Sequence, residues 1–356
     1  MALTTVRPQG MGFNTGRRNL VINGAMQVAQ RATEVTGVTD SGYKAVDRWQ
    51  NQTGTLGTFT MSQSTTSPDG FAFSQKYDCT TADASPASTD FLIFQHRIEA
   101  QNLQHLQYGT SGAKRITLSF HVRSNKTGTY IAELSHGDAT SKNQQSYTIN
   151  SANTWEKKTL TYVGQTSDAI NNDNGIGMFI QFWLGAGSAF TSGTLTQNTW
   201  ANTDNANRAV GQVNLADSTD NEWYITGVQL ELGENASDFE HRSFGEEMTL
   251  CERYFQRFVA NENYTAFSVA FSSSATTAKG HLKFNGKMRA KPTITQSNTG
   301  FNYGPQVAFS SFNTLYTGLD LSWIDMNIGS VGSAGQLGNW NANNNAAAYV
   351  QMDAEL

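Results

Sequence analysis

The residues of this 356-residue chain that could do chemistry are six histidines, two cysteines and a scatter of carboxylates. A zinc centre needs His, Cys or carboxylate ligands at short, fixed spacings. His96 and His105 stand nine apart, while His121, His136, His241 and His281 are isolated, so no zinc motif forms. Residues 171–175 (NNDNG) and 217–222 (DSTDNE) have the flavour of calcium loops. Calcium takes about six or more oxygens, however, and a loop with so few carboxylates is ordinarily a turn. Calcium is the one cofactor kept in view, and no metal ligand is assigned. Neither a G-x-S-x-G elbow nor a Gly-flanked Cys supplies a nucleophile. Asp47, Glu99, Glu133, Glu222, Glu231 and Glu240 are available as acid pairs, the arrangement glycoside hydrolysis requires, but nothing in their spacing brings two of them together. The expectation is a non-enzyme with no catalytic residues.

Aromatic side chains are more informative. Sugar rings present apolar faces that stack on Trp and Tyr, and Asn or Gln amides then fix the hydroxyls. Trp155, Trp183, Trp200 and Trp340 each lie near polar turn residues, and Trp200 and Trp340, in polar loops, are the candidate carbohydrate-binding residues. Arg17 and Arg18 form the only dense basic spot. Two arginines in an arm fit contact with a partner protein better than a nucleic-acid site. Cys79 and Cys251 read as buried free thiols, one on a strand and one on a helix.

The elements that must position these residues are mostly strands. Charged residues make up only 15% of the chain against about a quarter in an average soluble protein, and Gly, Ser, Thr and Asn are abundant. Together with a net charge of −5, this argues for many short strands and against wrapping nucleic acid. No run reaches the ~18 apolar residues of a membrane span, and the first residues lack the apolar core of a signal peptide, so folding in a cytosol is expected. Residues 1–18 read as an extended docking arm. Strand-like alternation then recurs through residues 19–242: around Leu20, Ile22, Met26 and Val28; in a hairpin within residues 55–81; in what looks like the cleanest hairpin, Ile116 to Val122 returning through Tyr130 to Leu134; in the apolar run GIGMFIQFWLGAGS; and in a short AVGQVNLAD strand. Ile98, Leu103 and Leu106 fit a helical turn. Within residues 223–258, Trp223, Ile225, Val228, Leu230 and Leu232 mark a buried strand with a bulge at Gly227. Phe244, Met248, Cys251, Phe255 and Phe258, spaced 4, 3, 4 and 3, predict a linking helix over 243–258 with a Ser243–Glu246 capping box. That stripe is the candidate oligomer or interdomain contact. Residues 259–356 continue as a smaller β-domain, with Leu319, Leu321 and Trp323 alternating and Tyr349 to Met352 as a last strand. The fold class is all-β: a jelly-roll β-sandwich, one linking α-helix and a smaller C-terminal β-domain.

RNLVINGAMQVAQRAT followed by DRW, then ITLSFHVRSNKTGTY, NTWEKKTL and GVQLELG…FEHRSFGEEMTLCERYFQRF, resemble the β-sandwich module of structural proteins of tailed phages, especially cyanophages and other marine phages. The resemblance spans residues 17–258. It implies a tail fibre or related virion appendage whose jelly roll is similar to carbohydrate-binding modules. It also implies a homotrimer, docked to other virion proteins through the arm with Arg17 and Arg18, synthesised in the host cytoplasm, located in the virion and recognising a host cell-surface glycan, with no nucleic-acid partner and no membrane insertion. The alternatives are a capsid decoration or head fibre protein and, from another class, a polysaccharide-degrading tailspike. Against the last stands the lack of a solenoid repeat. The resemblance brings no set of binding residues.

Overall fold

The computed structural model describes residues 17–202, 204–329 and 333–356. Of the expected docking arm, residues 1–18, the first sixteen lie outside the described residues. The chain divides into two compact units, with the boundary between Glu247 and Met248.

The first unit is a sandwich of two six-stranded antiparallel sheets. Its strands are β1 (Glu34–Val38), β2 (Gly42–Tyr43), β3 (Trp49–Thr53), β4 (Thr58–Ser64), β5 (Ser74–Thr81) and β6 (Phe91–Glu99). They continue as β7 (Ile116–Ser124), β8 (Gly128–His136), β9 (Lys142–Ile149), β10 (Glu156–Tyr162), β11 (Ile176–Ala186) and β12 (Glu222–Leu232). One sheet has the order β1-β4-β5-β12-β7-β10, the other β2-β3-β6-β11-β8-β9. Inward side chains alternate along every long strand and meet in one core, where Trp49 stacks on Phe94 at 4.7 Å and Tyr77, Phe182 and Trp223 close around them. The apolar run of β11 lies between β6 and β8, as its uniform hydrophobicity requires. In β12 the register shifts between Thr226 and Gln229 around Gly227, whose φ is +62°, so Trp223 and Ile225 before the bulge and Val228 and Leu230 after it all face inward.

Three expectations are corrected. First, β7 and β8 are not a hairpin. β7 pairs with β10 and β12, whereas β8 pairs with β9 and β11 in the opposite sheet. Alternation reports a buried face, and two strands on opposite walls of one core alternate just as two neighbours do. Second, residues 209–217 hold no strand; Leu215–Asp217 is a turn of 3-10 helix with both apolar residues buried. Third, residues 19–28 are buried but irregular.

Side chains, not a ladder, hold that irregular segment. Asn23, with φ +58°, donates to the Val28 and Asp47 carbonyls and accepts from the Val28 N–H, while its own carbonyl takes the Trp49 indole at 3.0 Å and its N–H meets Glu247 at 2.6 Å. Gly24 passes so close to β12 that an added Cβ would sit 2.1 Å from the Val228 carbonyl oxygen. Glu240 accepts from the Arg18 and Asn19 N–H groups, and Arg242 donates to the Asn19 and Val21 carbonyls. Asp47 accepts from Gln30 and pairs with Arg31. Residues 18–31, 47–49 and 240–247 thus converge on one polar clasp that ties the start of the sandwich to its end.

Two short helices complete the first unit and its boundary: α1 (Ser188–Thr191) and α2 (Phe244–Glu252). The capping box is present, Ser243 N–H donating to Glu246 at 2.9 Å and Glu246 N–H to Ser243 Oγ at 3.3 Å. The helix ends at Glu252, short of the expected 258. Phe255 and Phe258 belong to the next strand, β13 (Phe255–Val259), because pairing with the last strand outweighs the local helical spacing. Phe244 is 57% exposed, Met248 is half-buried and Cys251 is buried, so the five residues do not form one apolar stripe.

The second unit continues with β14 (Ala266–Ser272), β15 (Thr277–Lys283), β16 (Thr293–Ser297), β17 (Thr299–Asn302), β18 (Gln306–Thr317), β19 (Leu321–Ile328), β20 (Leu337–Ala342) and β21 (Tyr349–Asp353). β14-β15-β19-β18-β17-β20 close into a small barrel, and β13-β21-β16 form a three-stranded sheet with β21, the expected last strand, in its centre. Ser322 and Ile324 turn inward on β19, leaving Leu321 and Trp323 outside. Both cysteines are buried, and they form no disulfide.

Candidate functional site

The sequence-predicted residues are placed as follows. Trp340 is a core residue: it is 0% exposed in the barrel with its ring beside Phe267 and Phe309, which leaves no face for a sugar. Trp200 is half-buried, its indole N–H donating to the Val163 carbonyl at 2.7 Å and its ring edge-on to Tyr108, so it fastens its loop to the sandwich. Arg18 donates to Ser237 and the Asp238 carbonyl. In the calcium-like loops Asp173 accepts from Gly175 N–H and Asp217 from Asn221 and Lys126, which is turn chemistry. Among the described residues no three His, Cys, Asp or Glu side chains cluster as metal ligands. His96 lies in the core with Nε2 against the Ile22 backbone, and burial holds its pKa well below the usual histidine range. The acids are each engaged: Glu99 by Gln101, Glu222 by Lys76, Glu231 by Ser237 and Glu133 by Arg208.

That last pair belongs to a site that composition did not announce. β6, β11, β8 and β9 direct Phe94, Phe182, Ala132 and Tyr147 inward, so the residues beside these in each strand point away from the core. In register across the sheet stand Gln50 opposite Gln95, Gln95 opposite Gln181, Gln181 opposite Glu133, and Glu133 opposite Gln144. Five strands thereby lay five polar side chains in one transverse row. Gln181 Nε2 donates to Gln95 Oε1 at 2.9 Å and Gln95 Nε2 to Gln50 Oε1 at 2.6 Å. Gln144 Nε2 donates to Glu133 at 2.9 Å, and Ser135 Oγ lies 2.9 Å from Gln181 Oε1 and 3.0 Å from Glu133. Arg208 grips Glu133 with Nε and Nη2, the shortest contact 2.6 Å. With the amide oxygen and nitrogen of Gln95 assigned the other way, the oxygen accepts from Arg97 Nε at 3.2 Å and Nη2 at 3.1 Å in place of the bonds to Gln181 and Gln50.

One side of the row is apolar. Ile93, Trp183 and Ile131 pack with Phe190, Leu195 and Ala209, with the Phe190 ring 5.4 Å from Trp183 and the Arg208 guanidinium 4.9 Å above the same indole. The other side is the open rim, where Arg97, Phe179, Ser135 and Lys142 stand in register on β6, β11, β8 and β9. Arg97 lies 5.5 Å over the half-buried Phe179 ring. Lys142 donates to the Thr140 carbonyl at 3.0 Å; burial and then the positive charge of Arg208 lower its pKa, while Glu133 acts the other way. The row itself is buried, with Gln95 2%, Gln181 8%, Glu133 0% and Gln144 1% exposed; the half-exposed groups beside it, the Phe179 ring and the Arg97 and Lys142 cations, can stack a sugar ring and hydrogen-bond its substituents. Two clefts elsewhere on the sandwich, about 340 Å³ lined by Thr39, Thr58 and Asp83 among others and about 440 Å³ lined by Lys114, Arg115 and Glu234 among others, have no aromatic lining.

Sequence reasoning named Glu133 and Trp183 without assigning them and missed the remainder of the row. The signal available was a glutamine inside each of two otherwise apolar strands, Gln95 in FLIFQHRIE and Gln181 in IGMFIQFWLGA. A polar side chain at such a position is anchored only when neighbouring strands supply partners, and those come from distant segments.

No family model and no curated protein matches the chain. Among solved structures it is similar to the enzymatically active domain of bacteriophage CBA120 tailspike protein 4, at 14% identity and TM-score 0.29 over 60% of this chain and 21% of that one. It is also similar to TmCBM61 in complex with beta-1,4-galactotriose, at 7% identity and TM-score 0.31 over 61% of this chain and 100% of that one. A family 11 carbohydrate-binding module from Clostridium thermocellum, in complex with a beta-1,3-1,4-mixed-linked tetrasaccharide, matches at 10% identity and TM-score 0.28 over 59% of this chain and 99% of that one. At these identities and TM-scores the likeness is one of fold alone and extends to no shared ligand or activity.

Proposed function

We propose that the sandwich binds glycan on the outer face of its β2-β3-β6-β11-β8-β9 sheet, and that the chain serves in a tailed-phage virion as a homotrimeric fibre protein adsorbing to host-surface glycan. The observation that carries the binding reading is the in-register row Gln50, Gln95, Gln181, Glu133 and Gln144 beside Phe179 and Arg97. The buried row fixes the strand register under the half-exposed Phe179, Arg97 and Lys142, so that a sugar meets an aromatic ring with donors held at fixed spacing beside it. Glu133, the row's carboxylate, is neutralised by Arg208, which suits holding a ligand better than donating a proton. The fibre reading is supported by the resemblance of residues 17–258 to tailed-phage structural proteins.

A glycan array probed with the purified chain tests the first part: binding by the native protein that is lost in Phe179→Ala and Gln181→Ala is expected, and equal binding by those variants overturns the site. Release of reducing sugar from a bound glycan would overturn the non-enzymatic assignment. Immunogold labelling of intact particles is expected to mark the tail, and labelling of the head would reassign the chain to capsid decoration. Light scattering is expected to give the mass of three chains.

A further inference from the structure

We infer that copies of this chain meet through the outer face of the barrel on β20, β14, β15 and β19, with Val269, Phe271, Trp323 and Leu337 at the centre of the contact. The inference rests on the homotrimer reading above and names the surface that assembles it. Leu337, Phe271, Lys279 and Asp325 stand in register on the four strands, and two residues along each strand the next row runs Asn339, Val269, His281 and Trp323. Their neighbours Ala270, Ala278, Ile324 and Met326 are buried in the barrel core, so alternation turns both rows outward. Val269 is 75% and Leu337 77% exposed, the highest values for large apolar side chains among the described residues, and Phe271, Leu321 and Trp323 are exposed with them. Among the described residues of the first unit only Leu232 and Phe244 are large, apolar and exposed.

A strand position that faces water is ordinarily polar, and the inward half of each strand already fills the barrel, so these side chains add nothing to the fold of one copy. They leave on the order of 400 Å² of apolar side chain in water, a size at which such patches are commonly functional. A stable interface takes roughly 800 Å² from each partner, arranged as an apolar centre and a polar rim. The patch supplies the centre. Asn339, His281, Lys283 and the Lys279–Asp325 pair, 3.7 Å apart, supply the rim. Two observations make the occupant a second copy. Within the face the charge of Lys279 is matched by Asp325, so the face does not repel its own image. Residues 248–356 carry seven Lys and Arg against six Asp and Glu, whereas residues 1–247 carry seventeen against twenty-three. The acidic excess that keeps copies apart therefore lies on the first unit, and the second is the one that can approach its copy. Aliphatic side chains offer a sugar no hydrogen bonds, and a single excess cation is too little to hold an anionic membrane or nucleic acid.

The test is analytical ultracentrifugation of the full chain over a range of concentrations. The native chain is expected to sediment as three copies. Val269→Glu and Leu337→Glu each put a carboxylate into the apolar centre and are each expected to weaken association about thirtyfold or more, the double variant sedimenting as a monomer. Phe244→Glu adds a carboxylate to the first turn of α2, where it suits the helix dipole, and is expected to leave the mass unchanged. Circular dichroism and thermal melting of each variant separate lost assembly from lost fold. A trimer that persists in the double variant would overturn the barrel face and leave the homotrimer reading standing. Dissociation by Phe244→Glu, with the double variant still trimeric, would move the contact to the helix. A native chain that sediments as a monomer at every concentration would overturn the homotrimer reading and this inference with it. If that monomer floats with phosphatidylcholine vesicles and the double variant does not, the face belongs to lipid and not to a second copy.

Discussion

The clasp at Asn23 and the row at Gln181 are both networks of polar side chains on the same sandwich, and they differ in what surrounds them. In the clasp, Asn19, Asn23 and Glu247 are buried and spend their hydrogen bonds on backbone groups of their own chain. In the row the bonds run from side chain to side chain, and the rim beside it keeps Arg97, Phe179 and Lys142 half-exposed. A network that satisfies backbone fixes a chain path, and changing it changes the fold. The row is buried as well, but it satisfies side chains, so it sets the groups on the rim beside it, and changing it alters what that rim can hold.

The sharpest way to break this comparison is to remove one member of each. Asn23→Ala strands two carbonyls and an N–H in a buried segment and should destabilise the chain by about 4 kcal/mol in urea denaturation. A loss under about 1 kcal/mol would mean the clasp is not structural. Glu133→Ala should cost about 3 kcal/mol, since it leaves Arg208 on a mostly buried site without its carboxylate. Gln181→Ala strands side chains that can turn to other partners and should cost about 2 kcal/mol by the same measurement while abolishing glycan binding; a larger stability loss with intact binding would place the row with the clasp.

The smallest effect is a pH dependence confined to the clasp. Burial raises the Glu240 pKa, but the Arg18 and Asn19 N–H groups and Arg242 outweigh it, so the folded value is lowered. A lowered folded pKa contributes stability that is present above the ordinary glutamate value of 4.5 and is lost as pH falls through the folded value. Thermal denaturation across that acid range should show the loss in the native chain and flatten in Glu240→Gln.

How local each contact is decides what could be read from the amino-acid order. In the clasp only the Asn23–Val28 contact is local; Glu240, Arg242 and Glu247 meet Asn19, Val21 and Asn23 across more than two hundred residues, so residues 19–28 read as strands and the clasp itself was not legible. The strand of residues 223–232 was legible down to its bulge, because Gly and a shift of the apolar positions mark it locally. The row was not legible: Gln50, Gln95, Glu133, Gln144 and Gln181 come from five strands, and their alignment exists only once β3, β6, β11, β8 and β9 are in register. The supposed β7–β8 hairpin failed for a related reason, since periodicity carries no information about which sheet a strand joins. The helix was overextended because Phe255 and Phe258 continue a helical spacing, while the decisive partner, β21, lies about a hundred residues further on.

The burial of both thiols has a practical side. Burial, with Asp78 and Asp217 nearby, pushes the Cys79 thiol up to about 11, and Cys251 is fully enclosed, so neither presents a thiolate to alkylating reagents near neutral pH. A single introduced cysteine, such as Ala275→Cys in the exposed turn between β14 and β15, would therefore be the one site to react with a maleimide. The molecule can then be tethered to a sensor chip at one defined position in its barrel unit, with every side chain of the sandwich unmodified.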